Sequence, residues 1–106
     1  MTTFFVSRHP GAREWAMRQG LRVDIWIDHL DNADQIRSGD TVIGTLPVNL
    51  AAVVCARGAA YYHLALELPT TARGRELSVD ELEQFGAHLQ GYAILPVEAL
   101  AREKDQ

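Results

Sequence analysis

Phe4-Phe5-Val6-Ser7-Arg8-His9-Pro10-Gly11-Ala12 decides how this chain folds. Its apolar run, too short for a helix, reads as a strand over residues 3–7 buried on both faces, the mark of an interior strand in a parallel sheet. The run breaks into polar residues. Pro10, whose fixed φ and missing N–H suit a first helical turn, then opens a helix over residues 10–19. Trp15 and Ala16 give that helix an apolar stripe, and Gly20 gives it a left-handed stop. A strand feeding a helix through Ser7-Arg8-His9 sets a hydroxyl, a guanidinium and an imidazole beside a helix N-terminus, where backbone N–H groups and the helix dipole favour an anion.

The same design recurs at Asp40-Thr41-Val42-Ile43-Gly44-Thr45-Leu46-Pro47-Val48-Asn49. Here a strand over residues 41–44 leads through Thr45 and Leu46 to a helix opened by Pro47 and ended by Gly58. Between the two units, Val23, Ile25 and Ile27 alternate with Asp24, Trp26 and Asp28, which predicts a strand with one wet face near a sheet edge. Residues 31–39 are polar and turn-rich, with one helical turn around residues 33–36. A fourth strand is expected over residues 61–68, then a flap over 69–76 carrying Arg73 and Arg75. Ser78-Val79-Asp80-Glu81 is a capping box stapled by Leu77 and Leu82. Its helix is expected to bury Leu82, Phe85 and Leu89 and to stop near Gly91. Residues 92–95 read equally as strand or loop before Pro96, and a last helix is expected over 97–102.

Strands alternating with helices predict an α/β, Rossmann-like three-layer sandwich, with a mainly parallel sheet of four to five strands in the order 2-1-3-4. Ligands of such sheets bind beyond the carboxyl ends of the strands, at the switch point between the first and third. Ser7-Arg8-His9 and Thr45-Leu46-Pro47 would then share one crevice and hold a phosphodiester.

Composition narrows the partner. The 106 residues are 47% hydrophobic and 23% charged, an ordinary globular balance, and one domain over 1–106 is expected without a linker. So small a domain completes a ligand site easily by pairing with a second copy. The net charge of −4 argues against a long nucleic acid, which calls for a broad basic face. The first 22 residues nevertheless carry Arg8, Arg13, Arg18 and Arg22 against Glu14 alone, which suits a small anion. Cys55, among Ala51, Val53 and Val54, reads as a buried reduced thiol, and no zinc-type Cys/His spacing appears, so no metal or cofactor is expected. No apolar run reaches the roughly 18 residues of a membrane span and no signal peptide precedes the first strand, so a cytoplasmic protein with no membrane partner is expected.

Each candidate residue has two readings. Arg8 can fork two hydrogen bonds to a phosphate or simply pair with a surface carboxylate. His9 can move a proton near neutral pH, or cap the helix and position its neighbours. Ser7 and Thr45 can donate hydroxyls to phosphate oxygens or satisfy loop backbone. Pro10, Gly11, Leu46 and Pro47 would line the crevice with them. Asn49 can reach a ribose or base edge, and Trp15 can stack on a base or pack in the core. His29 and His63 read as structural, and His88 as a solvated residue on the acidic helix.

Arg8-His9 resembles the start of the Arg-His-Gly tripeptide of histidine phosphatases, but Pro10 stands where that motif has glycine. A longer match is carried by Phe5-Val6-Ser7-Arg8-His9-Pro10-Gly11-Ala12, Glu14-Trp15, Asp28-His29-Leu30 and the stretch from Gly39 to Ala51. Together these strings resemble a small CRISPR-associated accessory family of type III systems, the sixteenth of the Csx series. The resemblance implies a fold related to the CARF sensor domains and a metal-independent ring nuclease, a homodimer that cuts cyclic oligoadenylate, above all the tetra-adenylate ring, to switch off antiviral signalling. Arg8, His9 and Ser7 would be catalytic. The alternative is a module that senses or sequesters the cyclic nucleotide without cutting it.

Overall fold

The computed structural model describes residues 1–97. Its sheet has five strands, β1 (Thr3–Val6), β2 (Ile25–Ile27), β3 (Thr41–Gly44), β4 (Ala60–Ala65) and β5 (His88–Tyr92), in the order β2-β1-β3-β4-β5. The first four run parallel and β5 pairs antiparallel with β4, a Rossmann-like α/β sandwich. The helices are α1 (Pro10–Arg18), α2 (Val48–Ala56) and α3 (Val79–Gln84), with a 3₁₀ turn at Thr70–Ala72. The strand order expected for the first four holds, and β1 lies inside the sheet with β2 at its edge. The helix expected over 97–102 falls, beyond Val97, outside the described residues. No described helix is long and apolar enough to cross a membrane.

Alternate strand residues face opposite sides, so the sheet has two cores. Phe4, Val6, Val42 and Tyr61 face one side, covered by Ala51 and Val54 of α2 and by Leu30, Ala33 and Ile36 of the long connection between β2 and β3. Phe5, Ile43 and Leu64 face the other, under Ala12, Trp15 and Ala16 of α1 and Val79 and Leu82 of α3. Each fully buried large side chain of this kind contributes about 1.5–3 kcal/mol. The two faces explain why Phe4-Phe5-Val6 is continuously apolar.

At the start of β3, Asp40 is buried and its carboxylate accepts N–H bonds from Arg37 (2.8 Å) and Thr2 (2.9 Å). These bonds hold its carboxyl below the usual aspartate value against the opposing effect of burial. Asp40 thereby pins the entrance of β1 to the turn before β3. At the other end of β3, a Cβ on Gly44 would lie 2.6 Å from the Val6 carbonyl oxygen. Only glycine lets the two strands stay this close where they release their loops.

Three expectations need correction. The helix opened by the Ser78 capping box ends at Gln84, because Gly86 takes the left-handed φ of 75° and turns the chain back. The residues beyond it form β5, in which Leu89 stays packed on the α1/α3 core and His88 sits on a strand, not on the acidic helix. Local pattern favoured a longer helix, and pairing of Leu89 with Leu64 across the sheet prevailed. The fourth strand stops at Ala65 and does not reach Leu68. Cys55 is only half buried, and its Sγ accepts an N–H bond from Ile94 at 3.5 Å, tying the chain after β5 to α2.

Candidate functional site

Beyond the carboxyl ends of β1 and β3 lies a hollow of about 330 Å³, lined by Ser7, Arg8 and His9 from one side and Thr45, Leu46 and Pro47 from the other. The pairing of Val6 with Gly44 brings the two loops together. Asp28, His29 and Leu30 close the rim from the end of β2. A larger depression of about 740 Å³ between residues 67–69 and 84–86 is wide open and offers Glu67 and Gln84 but no cation, so it has little to hold an anion.

The first loop is shaped by its own backbone. The Ser7 N–H donates to the Ile27 carbonyl (2.9 Å), and the His9 N–H donates to the Ser7 hydroxyl oxygen (3.1 Å). Ser7 therefore does hold loop backbone, and its O–H proton remains available to the hollow. Arg13, one turn into α1, donates its Nε–H to the Ser7 carbonyl (2.9 Å) and bonds the Asp28 carboxylate, bridging the loops after β1 and β2. Asp28 is thus paired with Arg13 at the rim. Arg8 is exposed, and among the described residues it has no carboxylate partner. His9 is half exposed, with Nδ1 3.6 Å from a Glu76 oxygen. His29 pairs through Nε2 with Asp31 at 2.9 Å.

The second loop hangs on Tyr61. Its hydroxyl, 2% exposed as a residue, accepts the Leu46 N–H (2.9 Å), lies 3.3 Å from the Gly44 carbonyl oxygen and 2.7 Å from His63 Nδ1. One assignment satisfies all three contacts: His63 Nδ1–H and the Leu46 N–H donate to the phenol oxygen, and the phenol donates to Gly44. Burial raises the Tyr61 pKa above its ordinary value, so the proton stays in place at neutral pH. His63 is structural, as its strand position indicates.

Four expected ligand residues lie elsewhere. Trp15 is 3% exposed inside the core between α1 and the sheet, so it packs and does not stack on a ligand. Pro10 begins α1 without lining the hollow, and Asn49 is an exposed residue of the first turn of α2 outside it. Gly11 is buried against the Leu77 carbonyl, so close that any side chain would collide. That contact, with Ala12 and Arg13 N–H both donating to the His9 carbonyl, leaves the α1 terminus a poorer anion cradle than its sequence promises. Arg8 and the Ser7 and Thr45 hydroxyls are side-chain donors that line the hollow on the two loops. Arg13 and Tyr61 were the residues sequence reading missed; a tyrosine inside an apolar strand needs a hydroxyl partner, which was the available signal.

The chain is thus a Rossmann-like α/β sandwich with a hollow, lined by Arg8, Ser7 and Thr45, at the switch point of its sheet. The family model described as "Putative CRISPR-associated protein (Cas_VVA1548)" matches residues 4–95, and the chain belongs to that CRISPR-associated family. No curated protein and no solved structure matches it.

Proposed function

We propose that this chain is a ring nuclease that opens cyclic oligoadenylate, the tetra-adenylate ring above all, and so ends the signal of a type III CRISPR response. The observation that carries the reading is that Arg8, which has no carboxylate partner among the described residues, lines one hollow with Ser7 and Thr45. Membership of a CRISPR-associated family supports it, as does the resemblance to the sixteenth Csx family.

The chemistry needs no bound cofactor. A ribose 2′-oxygen loses its proton and attacks the adjacent phosphorus, the bond from phosphorus to the 5′-oxygen breaks, and that oxygen takes up a proton. The products end in a 2′,3′-cyclic phosphate and a 5′-hydroxyl. Arg8 would hold the non-bridging oxygens, where charge grows as the phosphorane forms. Ser7 and Thr45 would fix the phosphate in line, and His9 would carry one of the two protons or orient the leaving oxygen. Arg13 and Tyr61 act behind them by holding the two loops.

A hollow of about 330 Å³ is at the small end of ligand sites and accommodates only part of a four-nucleotide ring. A two-fold homodimer placing two hollows across one axis would match a two-fold ligand. The test is incubation with cyclic tetra-adenylate in EDTA followed by mass analysis. Linear products with 2′,3′-cyclic phosphate ends are expected. Tight binding with the ring recovered intact would instead assign a sequestering module, and neither binding nor cleavage would reject both.

A further inference from the structure

Next to the hollow, and sharing Ser7, His9, Thr45 and Leu64 with it, lies a second cavity of about 160 Å³ bordered by Ala12 of α1 and Leu82 of α3. Its apolar lining is Ala12, Leu64, Leu66, Leu77 and Leu82, and its polar side chains are Ser7, His9, Thr45, Arg75 and Glu76. We infer that this cavity seats the base of the nucleotide whose phosphate lies against Arg8, and that it takes a purine bearing an exocyclic amine. The inference rests on the function proposed above and adds which part of the ligand enters where.

Four features support it. The cavity shares Ser7 and Thr45 with the hollow, which suits a base one sugar away from its phosphate. Its volume of about 160 Å³ is well below that of a site for a whole ligand, and its leucines suit the apolar faces of a flat ring. Of the two charged side chains lining it, Arg75 is engaged by Glu81 at 2.6 Å, whereas Glu76, 3.6 Å from His9 Nδ1, has acceptor capacity left for an edge that carries an amine. The wall that holds Glu76 and Leu77 is fixed in advance. Gly11 packs on the Leu77 carbonyl, Arg75 pairs with Glu81 at 2.6 Å, and Ser78 caps α3 beside them. Little ordering is then left for the ligand to pay for.

The test compares adenosine 5′-monophosphate, inosine 5′-monophosphate and ribose 5-phosphate as NMR probes of the full chain, labelled at backbone amides and leucine methyls. Adenosine monophosphate is expected to shift the Leu66, Leu77 and Leu82 methyls, which line the second cavity and not the hollow, together with the Ser7, Arg8 and Thr45 amides, whereas ribose phosphate leaves those three leucines' methyls unmoved. Adenosine monophosphate should bind about tenfold more tightly than the inosine form, and Glu76→Gln, a surface change, should erase that preference, since one hydrogen bond to a charged acceptor is worth about that factor. Amide shifts with silent methyls would overturn the base cavity and leave the anion hollow standing. No shifts with any probe would overturn both. Equal affinity for the adenosine and inosine forms in the native chain would overturn recognition of the amine.

Discussion

Replacing Tyr61 by phenylalanine removes one oxygen and keeps the ring, so packing in the α2-side core is conserved and the cavity cost is small. What changes is the Leu46 N–H, which loses its acceptor inside a residue only 8% exposed. A buried donor left unpaired costs about 1–3 kcal/mol. Taking about 2 kcal/mol, a chain of this size should melt roughly 8 °C lower. The loss is local to the loop carrying Thr45, so the Leu46 amide should exchange faster with solvent than the amides of β3, and affinity for the anionic ligand should fall with it. The assay is thermal melting followed by circular dichroism, paired with residue-resolved amide exchange. A Tyr61→Phe protein that melts within about 2 °C of the native chain, with Leu46 exchange unchanged, would refute the assignment of the phenol as the peg of the second loop.

Asp40 has a lowered folded-state pKa, so its stabilising contribution is present above the ordinary aspartate pKa and is lost as pH falls through the lower folded value. Asp40→Asn, which sets an amide donor against one of the Thr2 and Arg37 N–H groups, should cost about 1–3 kcal/mol at pH 7. In urea titrations across pH, the gap between variant and native chain should narrow toward pH 3; a gap that widens on acidification contradicts the reading. Gly44→Ala should push the end of β3 off Val6, lowering melting temperature and ligand affinity together, and a change in neither would show that the strands have slack there.

Much of the architecture could be read from the chain because its signals are local and agree with one another. Pro10 and Pro47 each mark a helix opening, the Ser78 capping box is formed as its spacing predicts, and the doubly buried Phe4-Phe5-Val6 sits inside the sheet. Where a non-local partner decided the outcome, the sequence was a poorer guide. Leu89 has the spacing to follow Leu82 and Phe85 along a helix, but pairing with Leu64 makes it a strand residue. The candidate site divides in the same way. Loop residues next to strand ends, Ser7, Arg8, His9, Thr45, Leu46 and Pro47, were found from their position alone. Arg13 and Tyr61 hold those loops across 6 and 15 residues of sequence, and no spacing rule announces such a contact. Trp15 shows the opposite limit, since an aromatic on an apolar stripe looks the same in sequence whether it stacks on a ligand or fills a core.

Calorimetric titration of cyclic tetra-adenylate into the native chain and into Arg8→Ala bears most directly on the claim that the hollow between the two loops holds a phosphodiester. Hydrogen bonds to charged partners contribute about 1.5–3 kcal/mol, so the variant should remain folded and bind roughly 10- to 150-fold more weakly. Affinity unchanged within about twofold, in a variant with native melting behaviour, would contradict the account and move the ligand away from Arg8.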